Sequence, residues 1–220
     1  TAQQFTIAER VLFAIQLTRE LNILHANGII HRDVKPENVI LSKKLTLIDF
    51  DSVSAKGELS SHAIYTPRFL SSQLYLESIH NNFTNFNEKS DMYALGLTLG
   101  ILFAELFSPQ VVTNQINDPE ISSALKHETL QLQRTSEYAN HKHLWELIFT
   151  LVTESCPDTI SSFLQDLSQL YIEEYHQTLP DDFDVGEKIP RVCGKTEFEQ
   201  IEKEISVYLR HTQTHNDRYD

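Results

Sequence analysis

Apolar residues recur at helical spacing through Val11, Leu12, Ile15, Leu21 and Leu24, which predicts an amphipathic helix over residues 6–27. Thr6 and Glu9 have the spacing of a capping box, and Asn27-Gly28 supplies the left-handed residue that ends a helix at little cost. His25, in the last turn, suits capping or packing better than ligation, because it can interact with the terminal carbonyls. Ile29 and Ile30 then drop the chain into the core. Two short apolar runs follow, Val39-Ile40-Leu41 and Leu45-Thr46-Leu47-Ile48, and the polar Ser42-Lys43-Lys44 between them predicts a small β-hairpin. Residues 52–72 lose periodicity and gather Ser, Lys, Gly, Glu and Thr, the mark of a loop of functional length.

A second polar stretch, 80–89, precedes a run from Met92 to Phe107 that is apolar on nearly all sides. This predicts a central buried helix, capped by Ser90 or Asp91 and stopped by Ser108-Pro109. Gly96 and Gly100 would be costly on an exposed helix but allow close backbone approach in a buried one. Helices are expected at 119–134, 143–153 and 159–175, then a surface linker over 176–195. Thr196 and Glu199 open a final helix with a narrow stripe of Phe198, Ile201, Ile205 and Leu209, and the tail after His211 is expected to fray. The fold class predicted is mainly α with one small β-hairpin.

Composition narrows the class without changing that picture. A chain of 220 residues with 40% apolar content is long and apolar enough for one well-buried domain. Its formal charge of -13 argues against nucleic acid as a partner and makes basic peptides easier ones. Cys156 and Cys193 lie far apart without metal-type spacing, which favours a reducing, cytoplasmic compartment. The most apolar stretch, 95–107, is interrupted by Thr98 and Glu105 and is too short for a membrane span; no signal sequence opens the chain.

The candidate chemistry is concentrated in His31-Arg32-Asp33-Val34-Lys35-Pro36-Glu37-Asn38. It offers an acid–base carboxylate (Asp33), an ammonium able to neutralise phosphate (Lys35) and an amide able to ligate a metal (Asn38). The hairpin would carry Asp49, which opens Asp49-Phe50-Asp51, back beside Asn38. Two metal-ligand candidates would then face one cavity.

Leu24 to Asp33, Ile48-Asp49-Phe50 and Asp91-Met92-Tyr93-Ala94-Leu95-Gly96 together resemble, in order and spacing, the C-terminal lobe of the eukaryotic-type protein kinases over about residues 6–167. The resemblance implies a kinase-like large lobe over 1–175, with a catalytic loop at 31–38, an activation segment at 49–68 and a central helix at 91–107. It implies ATP and Mg2+ as cofactors. Asp33 would accept the proton of the substrate hydroxyl, Lys35 would stabilise the transferring phosphoryl charge, and Asn38 and Asp49 would ligate magnesium. Asp91 would hold the catalytic-loop backbone, and His31 and Phe50 would be structural members of their motifs. Arg32 would bind a phosphate on the activation segment, where Ser54, Ser60, Ser61 and Thr66 are the available hydroxyls; Ser61 would be the hydroxyl that touches Asp33 and Lys35, which leaves Ser54 as the favoured site of modification. Lys35-Pro36-Glu37 is similar to the serine/threonine subtype, and Glu37 would receive a basic residue near the acceptor hydroxyl of a protein substrate.

The sequence departs from the family pattern in three places. It contains no glycine-rich loop or strand lysine, so the expectation is a part of a longer kinase, inactive without its N-terminal lobe. Asp51 replaces the glycine after Phe50, a pattern that also resembles the aminoglycoside and choline phosphotransferases. Thr66-Pro67-Arg68 stands where the family has alanine-proline-glutamate, and a charge-swapped pair of Arg68 with Asp158 or Glu154 is expected. Three functions follow: a serine/threonine protein kinase, a pseudokinase or scaffold, and a small-molecule phosphotransferase. Retention of Asp33, Lys35, Asn38 and Asp49 favours the first over the second. Arg32, Lys35-Pro36-Glu37 and residues 91–96 favour protein over small-molecule substrates. The altered motifs and helical tail fit a divergent member, delivered into a host cell if it is a bacterial effector.

Overall fold

Thr6 opens the first helix, α1 (Ile7–Ala26), through both halves of the expected capping box: its hydroxyl accepts from Glu9 N, and its own N–H donates to the Glu9 carboxylate at 2.8 Å. The computed structural model describes residues 5–41, 45–59, 65–80, 84–104, 139–153 and 156–180, all within the unit Thr1–Glu187. The expected helices over 119–134 and from 196, and the linker beyond residue 180, lie outside the described residues. Val11, Ala14, Ile15, Leu17, Leu21 and Leu24 form the buried face of α1. Gly28 ends the helix at φ +71, the left-handed region that costs glycine least.

The chain then enters β1 (Ile29–Ile30), both residues buried, and after a 3₁₀ turn (Pro36–Asn38) forms the hairpin of β2 (Val39–Leu41) and β3 (Leu45–Leu47). The hairpin register is Val39↔Leu47, as the two apolar runs predict. Leu47 N–H donates to the Glu20 carboxylate at 2.6 Å and so fastens the hairpin to α1. A further strand, β4 (Ser54–Ala55), pairs antiparallel with β1 in a region expected to be loop. Two residues are too few to show alternation, so only the pairing reveals this strand.

A second 3₁₀ turn (Pro67–Phe69) leads into α2 (Ser72–His80), a helix the hydrophobic pattern did not predict. Leu74 is buried with Ile30, Leu70 and Phe86, but Leu76 and Ile79 face outward, so no single apolar stripe marks it. The central helix, α3 (Glu88–Ala104), begins earlier than expected. Asn87, not Ser90 or Asp91, serves as its cap: its side-chain oxygen accepts from Ser90 N at 3.2 Å, while Ser90 Oγ donates to Asn87 O at 2.5 Å. Asp91 therefore lies in the first turn of α3, free to point inward.

Gly96 explains how closely α3 is packed. A Cβ there would stand 2.8 Å from Leu151 Cβ and from Val152 Cγ1, just beyond α4 (Lys142–Thr150). Trp145 on α4 is buried edge-on against Phe103 of α3. The last described helix, α5 (Ile160–Glu173), is capped by Thr159 and packs on both α1 and α4. The described residues are thus mainly helical with two small two-stranded sheets. No helix among them is long and apolar enough to cross a membrane.

Candidate active site

The segment 31–38 leaves β1 and is held from below by Asp91 of α3. That carboxylate is 1% exposed and accepts three hydrogen bonds: from His31 N at 2.7 Å, Arg32 N at 2.8 Å and His25 Nε2 at 2.9 Å. A buried carboxylate without such donors would cost several kcal/mol, and here every donor comes from α1 or the loop it positions. Arg32 has φ +68, a conformation that arginine adopts at a cost of about 1–3 kcal/mol, and the paired backbone N–H groups on Asp91 hold it there. His25 thus acts as a buried partner of the anchor and does not cap the terminal carbonyls.

Asp33, directly beyond the anchored pair, is the convergence point. Lys35 Nζ donates to its Oδ2 at 2.5 Å, Asn38 Nδ2 to the same oxygen at 3.0 Å, and Thr66 Oγ1 to Oδ1 at 2.6 Å. Lys35 also donates to Thr66 Oγ1 at 2.8 Å, so Asp33, Lys35 and Thr66 close a ring of hydrogen bonds. Burial by itself would raise the Asp33 carboxyl, but the hydrogen bonds from Lys35, Thr66 and Asn38 and the Lys35 charge outweigh it and hold the carboxyl below the usual range. Asp33 is therefore an anion at neutral pH, with its ammonium partner alongside.

Asp49 returns to this group through the hairpin. Ile48 N donates to Asn38 O at 2.8 Å, which sets Asp49 one residue from that junction, as the pairing of the two apolar runs predicts. Its φ is +67, and its exposed carboxylate receives Asp51 N at 3.4 Å. Phe50 meets the His31 ring edge-on, centroids 5.3 Å apart. His31 is fully buried and accepts Asp33 N on Nδ1 at 3.3 Å, so the neutral ring carries its proton on Nε2. Burial lowers its pKa, against the raising effects of Asp91 and Asp33.

Several expectations are corrected here. Ser61 lies outside the described residues, and the contact with Asp33 and Lys35 expected of it is made by Thr66, five positions later. Ser54 is 4% exposed on β4 with its hydroxyl buried, so it is inaccessible to a modifying enzyme while that strand is paired. Arg68 pairs with Glu37, and Asp158 pairs with Lys89, so the swapped pair of Arg68 with Asp158 is not formed; Glu154 lies outside the described residues. The 3₁₀ turn Pro67–Phe69 directs Arg68 to Glu37 in the loop 31–38 instead. Arg32 donates to the carbonyls of Ser52 and Val53 and lies 5.7 Å from the centroid of the Phe86 ring. Burial lowers its pKa. The contact of Thr66 with Asp33 and the pairing of Glu37 with Arg68 are not legible in the sequence, because each spans about thirty positions of chain.

Among the described residues, no cluster of three or more His, Cys, Asp or Glu side chains could hold a metal. The donors that remain, the Asp49 carboxylate and the amide oxygen of Asn38, are hard oxygens. Such a pair suits magnesium, which takes one or two protein carboxylates and keeps water and phosphate oxygens for the rest.

Comparison with known proteins places the chain among protein kinases. The model of the protein kinase domain family matches residues 1–174. The chain is 33% identical over 89 residues to a putative serine/threonine-protein kinase of Acanthamoeba polyphaga mimivirus, covering 39% of this chain and 31% of that protein. It is 32% identical over 119 residues to the probable serine/threonine-protein kinase PknB of Lactococcus lactis, covering 54% and 18%. Similarity to the serine/threonine-protein kinase Nek3 of Oryza sativa is 26% over 170 residues, covering 66% and 28%. The matched segment spans less than a third of the length of each of these relatives.

Proposed function

This chain belongs to the protein kinase domain family, and on that premise we propose that it is the C-terminal catalytic lobe of a serine/threonine protein kinase, transferring the ATP γ-phosphate to a protein hydroxyl. The observation that carries this reading is the ring of Asp33, Lys35 and Thr66 closed by hydrogen bonds of 2.5, 2.8 and 2.6 Å. Phosphoryl transfer asks the protein mainly for positioning and charge neutralisation, and the loose transition state needs only a weak base. Asp33 orients the acceptor hydroxyl and takes its proton as the new P–O bond forms and the bond from the γ-phosphorus to the departing ADP oxygen breaks. Lys35, held against Asp33 Oδ2, offsets charge on the phosphoryl oxygens and keeps the carboxylate ionised.

Magnesium, when bound, would neutralise phosphate charge; Asn38 and Asp49 are the residues that would hold it, and Lys35 would complete the nucleotide side of the site. The wall that grips the rest of ATP belongs, on this reading, to an N-terminal lobe outside this chain. Residues 1–175 form the lobe, 176–195 a linker, and 196–220 a terminal helix and tail. Protein substrates are favoured over small molecules by the Thr66 tie, which sets the end of the activation segment against Asp33 as a shelf for an extended peptide. The retained ionised Asp33 favours catalysis over a scaffold role. Glu37 stands on the rim, paired with Arg68, where the residues flanking an acceptor hydroxyl would pass.

The test is Asp33→Asn in the full-length protein. With ATP, Mg2+ and a serine peptide library, phosphate incorporation should fall about 10²–10⁴-fold in a variant that circular dichroism shows to be folded. Undiminished transfer by the variant would sink the mechanism, and a wild-type protein that transfers nothing would leave the scaffold reading.

A further inference from the structure

Two ties join the end of the activation segment to the catalytic loop. The inner one is Thr66 on Asp33 and Lys35. The outer one is Arg68, set two positions on by the 3₁₀ turn, whose Nη2 donates to Glu37 Oε1. The Arg68 guanidinium lies 5.2 Å from the centroid of the Phe69 ring, and its Nε is buried without a hydrogen-bond partner. Phe69 and the turn therefore limit where the charged head can go. Glu37 stands four positions beyond Asp33, and its side chain is 53% exposed at the rim.

On the proposed reading, the acceptor hydroxyl of a peptide must reach Asp33, so the residues flanking it cross this rim. An unpaired Glu37 would attract a cationic side chain there. Arg68 supplies that cation from within the chain. We infer that Arg68 is a specificity-determining residue: it occupies, as an internal counter-ion, the subsite that Glu37 would otherwise offer to a basic substrate residue, and so suppresses selection for arginine or lysine beside the acceptor. A peptide cation entering the subsite must break one ion pair to form another, so little net affinity is gained. The chain's charge of -13 attracts basic peptides at long range, but that attraction does not depend on where in the peptide the cation lies.

The inference rests on the proposed function for the position of the acceptor, and peptide binding tests it separately from turnover. Fluorescein-labelled serine peptides would be titrated by anisotropy against the full-length protein, with one arginine placed in turn at each position flanking the serine. The reference peptides carry alanine at that position, or arginine at the far end to report non-specific attraction. In wild type the arginine-to-alanine affinity ratio should stay within about twofold at every flanking position, whereas Arg68→Gln and Arg68→Met should each raise it about fivefold or more at one position. Adding Glu37→Gln to either variant should return the ratio to the far-end control. A wild-type ratio already raised at one position and abolished by Glu37→Gln alone would overturn the inference. So would Arg68 variants, folded by circular dichroism, whose ratio does not move or that bind no peptide. Failure of phosphate transfer with the binding pattern intact would count against the proposed function alone.

Discussion

Asp91 and Glu37 are both carboxylates that tie the loop 31–38 to another part of the chain, and they do so from opposite environments. Asp91 is 1% exposed, accepts three hydrogen bonds and holds a left-handed Arg32 in place. The Glu37 side chain is 53% exposed and meets a single cation, Arg68. Burial, rather than charge, separates the two roles. Out of water, each donor to Asp91 loses its solvent alternative, so removing the carboxylate strands all of them. At the rim, water replaces what the Glu37 carboxylate loses. The first contact can therefore serve architecture, and the second can be exchanged for a substrate group.

The contrast is tested most strongly at Asp91. Asp91→Ala leaves His25 Nε2 and the N–H groups of His31 and Arg32 without their acceptor, and should cost about 3–5 kcal/mol in urea unfolding. An unchanged midpoint would mean that the loop is held by something else. Next comes the buried ring above the anchor. Because burial lowers the His31 pKa, its native ring stays neutral while the unfolded chain takes up a proton below the ordinary histidine value of about 6.5. Stability should therefore fall as pH drops from 7.5 to 5.5, by up to about 1.4 kcal/mol per pH unit for one proton. His31→Asn keeps an acceptor for Asp33 N and should flatten that slope; equal slopes in the two proteins would refute the assignment. Glu37→Gln should have the smallest effect, about 0–1 kcal/mol in the same unfolding measurement. A loss as large as that of Asp91→Ala would erase the distinction between anchor and rim.

Legibility along the chain follows the same division. The capping box of α1, the left-handed Gly28, the β2–β3 hairpin and the buried character of α3 were all readable, because each is governed by residues a few positions apart. The pattern failed at α2, where Leu76 and Ile79 face solvent and blur the helical stripe. It also misplaced the start of α3, since the choice between Asn87 and Ser90 as cap turns on which side chain points along the helix axis. At the candidate site, the sequence leads one to expect Ser61 against Asp33 and Lys35, whereas among the described residues Thr66 makes that contact. Thr66 stands at the start of the 3₁₀ turn Pro67–Phe69, which brings its hydroxyl to Asp33.

The sequence by itself determined the chemical inventory of this protein: which carboxylates, amide and ammonium it carries, in what order, and on which local elements. Only the tertiary structure decided which of them meet. Asp91 reaches His31 across 60 positions, Thr66 reaches Asp33 across 33, and Arg68 reaches Glu37 across 31. Short-range preferences of the backbone shape segments within a few residues of each other. Pairings over such separations depend on how whole elements pack, so near-equivalent hydroxyls or acids remain open choices until the packing selects one.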